Sequence, residues 1–311
     1  MLKINTLSYF FLFTIICLCV SCKKDQLDNP TNLNANTFVF LGHTYDWNSN
    51  GTRVDPRIER LPLSDYKGIM LGGDICSEVT REQETIDYLD DIFDLKDHLT
   101  FYTLGNHDTR NGNLHYITDA TQRLDFYTYY HDETLFMVLN CSYDFVDSLR
   151  NKCDEMQAQL DMIQQTLDTL SASNLFILTH QVVWGTCEPD METTAHANAE
   201  IGYYRFLCEG DVSTRFDAAI YPYLKTLKAS GTEVYVVSGD GGQRSKKYHY
   251  ESPEGINFFI SGINNSLKPE NTPLALADVV NFNPDSILLF HQDEMDKSFD
   301  WEFVELNGIL E

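Results

Sequence analysis

An α/β fold is what this 311-residue sequence predicts, and three observations predict it. Short apolar runs rich in β-formers recur along the chain, and stretches between several of them carry apolar residues at spacings of three and four. The two kinds of segment alternate, with strands dominating the last third. A composition of 43% hydrophobic and 13% aromatic residues supplies a core and excludes a disordered, collagen-like or polytopic membrane protein.

The first element precedes the fold. Lys3 is followed over 7–21 by LSYFFLFTIICLCVS, shorter than the about 20 residues a bilayer span needs, and this reads as an export signal. The run ends in Cys19-Val20-Ser21-Cys22 before Lys23, Lys24 and Asp25, and resembles the lipobox of bacterial lipoproteins, with Cys19 where leucine is usual. That resemblance implies a signal peptide over 1–21 and lipidation at Cys22. It also implies a lipoprotein of the bacterial cell envelope, periplasmic or outer-membrane attached, that meets the membrane only through its lipid anchor. Residues 22–36 are polar and read as a flexible spacer.

Strands are expected at 37–41 (TFVFL), 68–71 (GIML), 100–104, 135–140, 175–179, 234–238, 256–261, 286–290 and 301–305. Helices are expected at 81–97, 153–171 and 213–229, the first because Ile86, Leu89, Ile92 and Phe93 share a face. No repeat and no proline- or glycine-rich break divides the body, so 37–311 reads as one domain. Five cysteines follow Cys22, and Cys187 with Cys208 or Cys141 with Cys153 are the pairings considered, with connectivity left open. The net charge of −25 becomes −26 from Cys22 onward, because Lys3 is the single charged residue before it; no nucleic-acid partner is expected.

Polar residues directly after apolar runs mark where strand-end loops converge on a crevice. Five such places stand out: Gly42-His43-Thr44-Tyr45-Asp46, Gly72-Gly73-Asp74, Gly105-Asn106-His107-Asp108, Thr179-His180-Gln181 and Ser238-Gly239-Asp240-Gly241-Gly242. Carboxylate, amide oxygen and neutral imidazole together suit a divalent transition metal, zinc, manganese or iron. In Asn106-His107-Asp108 the carboxylate is placed to orient the imidazole.

In order and placement these motifs resemble the calcineurin-like metallophosphoesterase family, from Phe38 to about Glu305. Gly73-Asp74, Gly105-Asn106-His107-Asp108 and His180 match; His43-Thr44-Tyr45 departs from Asp-x-His, and Gly239-Asp240-Gly241-Gly242 from Gly-His-x-His. The resemblance implies two stacked mixed β-sheets flanked by helices, and one or two metal ions. One ion would be held by Asp74, Asn106, His180 and Asp240. A second would have Asp74, His43 and Tyr45 and no side chain at Gly242, with Asp46 a replacement only from a loop. His107, oriented by Asp108, would act on the phosphoryl group, and Arg110 would contact phosphate. The implied activity is phosphoric ester hydrolysis of a small phosphate ester or an envelope glycan; the alternative is an inactive scaffold that binds. Residues 182–211, directly after His180, are expected to form a lid.

Overall fold

The apolar runs are continuous because both faces of the central strands are covered. In β1 (Thr37–Leu41), Phe38 and Phe40 point into one core while Val39 and Leu41 point into another. The computed structural model describes residues 34–46, 49, 51–143, 152–199, 202–264 and 282–310; the expectations for the export signal and for Cys22 lie outside the described residues. The compact unit is Asn34–Glu311.

The remaining strands are β2 (Gly68–Leu71), β3 (Thr100–Tyr102), β4 (Tyr127–His131), β5 (Thr134–Val138), β6 (Asn174–Thr179), β7 (Glu233–Ser238), β8 (Lys247–Glu251), β9 (Asn257–Ser261), β10 (Ser286–Gln292) and β11 (Phe299–Glu305). One sheet runs β11-β10-β1-β2-β3 and the other β4-β5-β6-β7-β9-β8. Both are mixed: β1-β2-β3 and β5-β6-β7-β9 are parallel, and antiparallel strands flank each set. Phe38, Phe40, Phe101 and Phe290 of the first sheet meet Phe136, Phe176, Tyr235 and Phe259 of the second, with Phe101 and Phe136 stacked at 4.2 Å. Each such ring contributes about 1.5–3 kcal/mol by burial.

Helices cover the outer faces. Ile86, Leu89 and Phe93 of α1 (Gln83–Phe93) pack on the first sheet, while Leu160, Ile163 and Leu167 of a later helix, Cys153–Thr169, pack on the second. The result is the α/β architecture of two stacked mixed sheets flanked by helices. Among the described residues, no helix is long and apolar enough to cross a membrane.

Three expectations are corrected. Strands β4 (YTYYH) and β8 (KYHYE) escaped notice because half-buried edge strands carry tyrosine and histidine in place of an apolar run. The helix expected over 213–229 is broken into a turn at Val212–Thr214 and two helices, Phe216–Ala219 and Tyr221–Ala229, the last opening on Pro222. The disulfide joins Cys153 to Cys208, with Cα atoms 5.3 Å apart, and Cys76, Cys141 and Cys187 are free thiols. Cys208, late in the segment after β6, meets the amino end of the Cys153–Thr169 helix, and the bond spans 55 residues of sequence that spacing could not resolve.

Candidate metal centre

The carboxyl ends of β1, β2, β3, β6 and β7 converge where the two sheets abut. The approach is close enough that a Cβ at Gly239 would fall 1.8 Å from the Gly72 carbonyl oxygen, and one at Gly105 would fall 2.0 Å from Asp74 Oδ1. Glycine is therefore a steric requirement at both places. His43 and Asp74 themselves take positive φ, 55° and 52°, in the left-handed region that non-glycine residues rarely adopt.

Asp74, only 2% exposed, is the hub. Its Oδ1 accepts the His107 backbone N–H at 2.8 Å, and its Oδ2 faces the Nε2 atoms of His180 at 3.3 Å, His43 at 3.8 Å and His107 at 3.9 Å. His180 Nδ1 lies 2.8 Å from the Gly72 carbonyl oxygen and donates to it, which leaves the buried Nε2 with the Asp74 carboxylate as its nearest neighbour and no well-directed hydrogen bond. Asp240 Oδ1 stands 3.9 Å from that same Nε2, while its Oδ2 accepts the Ala199 N–H at 3.1 Å. Asn106 opens the short helix Asn106–Thr109 beside these groups.

The neighbouring corner differs. His43 Nδ1 is 3.4 Å from the Ile263 carbonyl oxygen and its Nε2 is 3.2 Å from the Tyr45 hydroxyl. The Tyr45 ring also stacks on His107 at 5.1 Å. Gly242 has no side chain to contribute, and Asp46 is half-buried one residue past the isolated Tyr45–Val54 bridge.

Two role assignments change. Asp108 does not orient His107: its Oδ2 accepts the N–H groups of Asp74 and Gly105, both at 2.7 Å, and its Oδ1 accepts from Ile75 N–H and the Tyr102 hydroxyl. It is a buried brace tying the β2 loop to the β3 loop. His107 is oriented by Ser77, whose carbonyl and hydroxyl oxygens lie 3.1 and 3.2 Å from Nδ1. Arg110 faces Glu78 at 3.5 Å, and its charge reaches His107 and Tyr45, so it stands at the rim. The described part of 182–211 is a packed excursion: Trp184, Tyr204 and Phe206 are buried in the outer core. Their contribution to the centre, through Asn198 and Ala199, had no signal in the sequence.

Charge explains the protonation pattern. Burial raises the Asp74 pKa, but His180 and His107 outweigh it and hold the carboxyl well below the usual range. Burial lowers His180, yet Asp74 and Asp240 take it up to about 10. Burial pushes Asp240 up to about 6 and His43 down to about 4. Two buried carboxylates thus demand a positive charge at His180 Nε2, as a proton or as a cation in its place.

Among the described residues, no group of three or more His, Cys, Asp or Glu side chains is arranged as it stands to hold a metal ion. The donor types are nevertheless compatible with one metal position: a buried imidazole nitrogen, its ring fixed by a carbonyl at Nδ1, facing two carboxylate oxygens with no well-directed hydrogen bond. The His43 corner does not fit, because both ring nitrogens are answered by the protein.

No family model and no curated protein matches the chain. Among solved structures it is similar to GAP50, the anchor in the inner membrane complex of Plasmodium, at 11% identity and TM-score 0.51 over 87% of this chain and 84% of that one. It also aligns with Vps29 of Chaetomium thermophilum at 10% identity and TM-score 0.30, over 86% and 97% of the two chains. The likeness to GAP50 is one of fold.

Proposed function

We propose that this chain is a metal-dependent phosphoric ester hydrolase of the calcineurin-like type, exported to the cell envelope on a lipid anchor at Cys22, with one metal position. The observation that carries the reading is the buried His180 Nε2, which faces the carboxylates of Asp74 at 3.3 Å and Asp240 at 3.9 Å with no well-directed hydrogen bond to either. Asp74, Asn106, His180 and Asp240 would hold a divalent zinc, manganese or iron ion, which when bound lowers the pKa of a water and polarises a phosphoryl oxygen.

The chain's own groups do the rest. His107 is 16% exposed at its side chain, against 0% for His180 and 8% for His43, so it is the imidazole that reaches an arriving ester. With Nδ1 held by Ser77, its Nε2 is free to hold a phosphoryl oxygen or to protonate the leaving oxygen. Burial lowers its pKa, and an incoming phosphate anion favours the protonated form again. Arg110 at the rim would meet the phosphate on entry, and a small phosphate ester or an envelope glycan is the substrate class proposed.

A second reading is an inactive scaffold that binds a partner at the envelope. Tyr45 favours it, since this buried ring sits against both His43 and His107 where an open site would need room. Turnover of chromogenic phosphate mono- and diesters by the full chain with zinc, manganese or iron separates the two. The hydrolase reading predicts metal-dependent turnover that His180→Ala removes; turnover unaffected by metal and by that variant would refute it.

A further inference from the structure

Asp240 is the ligand with the least support from its own element. It stands in Ser238-Gly239-Asp240-Gly241-Gly242, with three glycines around it and Gly242 at φ 105°, and β7 ends at Ser238. The Asp240 backbone N–H is held by the His180 carbonyl oxygen at 2.9 Å, and the contacts to its carboxylate come from outside β7.

Two consecutive residues of the excursion after β6 hold this residue. Asn198 N–H donates to the Asp240 carbonyl oxygen at 2.9 Å, and Ala199 N–H donates to Asp240 Oδ2 at 3.1 Å. The Asn198 side chain then grips the loop on the far side: Nδ2 donates to the Gly241 carbonyl oxygen at 2.7 Å, and Oδ1 accepts the Gln243 N–H at 2.8 Å. An asparagine amide is both donor and acceptor, so one side chain reads a carbonyl and an N–H two residues apart. With Oδ2 committed to Ala199, the oxygen left toward His180 is Oδ1.

We infer that Asn198 is a positioning residue for the metal centre, holding the glycine loop so that Asp240 Oδ1 faces His180. This rests on the metal-site reading above. It assigns the excursion a task other than covering the site: it closes the coordination set from outside the sheet.

The test is zinc affinity of the full chain, measured by competition with a chromophoric chelator, for the protein, Asn198→Ala, Asn198→Asp, Asp240→Ala and the Asn198→Ala/Asp240→Ala double variant. Thermal melts confirm that each is folded. Asn198→Ala is expected to weaken zinc about tenfold, in the range for groups that orient a ligand. Asn198→Asp, which keeps the acceptor for Gln243, should lose less. In the Asp240→Ala background, where no side-chain oxygen remains to be positioned, the Asn198→Ala change should add nothing. Unchanged affinity in Asn198→Ala, or a loss that adds to that of Asp240→Ala, would overturn the inference and leave the metal site standing. No zinc, manganese or iron binding by the unaltered protein would overturn the metal reading itself, and the inference with it.

Discussion

The two sides of Asp74 are built from the same materials to opposite ends. On one side His180 spends Nδ1 on the Gly72 carbonyl and leaves Nε2 between two carboxylates without a well-directed hydrogen bond. On the other, His43 spends Nδ1 on the Ile263 carbonyl, and its Nε2 meets the Tyr45 hydroxyl. A buried nitrogen without a well-directed hydrogen bond costs about 1–3 kcal/mol, and in the proposed reading a metal ion would supply the missing partner. The corner whose hydrogen bonds are complete has no such need. The difference teaches that a pocket's residue types say less about metal binding than which of their lone pairs the protein itself has used.

The largest change that would break this comparison is Asp74→Asn. It preserves the acceptor for His107 N–H but removes the charge both sides share, and turnover is expected to vanish; retained turnover would take Asp74 out of the centre. His107→Ala comes next. Turnover should fall by about a hundredfold with metal content unchanged, within the range for loss of a proton-transfer group. Loss of metal to match would make His107 a ligand and the exposed-imidazole assignment wrong.

A pH series sharpens the contrast further. His180 has a pKa raised to about 10, so below that pH a metal must displace a proton from Nε2. Apparent affinity should therefore rise about tenfold for each pH unit from about 7 to 9, read by chelator competition. A flat profile would mean that the ion does not use His180. The smallest effect is expected from Tyr45→Phe, which frees His43 Nε2. Metal stoichiometry should stay the same, since Gly242 still offers no ligand; a second ion appearing in this variant would show that the phenol alone kept the corner closed.

Much of the layout was legible beforehand, because β1, β2, β6 and β7 are buried on both faces and read as apolar runs. Four of the five strand-end motifs stood out through glycines that are sterically required where the sheets abut, and the fifth, Thr179-His180-Gln181, through its histidine after an apolar run. What was hidden depended on long-range pairing. Asp108 looked like a partner for His107 from adjacency, but the close approach of the β2 and β3 loops gives it four nearer donors. Ser77 could not be picked out, since a carbonyl that orients an imidazole carries no side-chain signature. Asn198 was hidden in an excursion expected to form a lid, and nothing in its sequence marked this residue among the others. Cys208 looked closer to Cys187 than to Cys153 in sequence, and only the helix-over-excursion packing reverses that.

Metal content decides the matter with the fewest assumptions about substrate. The protein and its Asp74→Asn variant, purified after growth with zinc, manganese and iron available, would be compared by elemental mass spectrometry. About one ion per chain, lost in the variant, is the expected result. Two ions per chain would contradict the reading of the His43 corner, and none above the variant's level, even after reconstitution, would contradict the metal centre altogether.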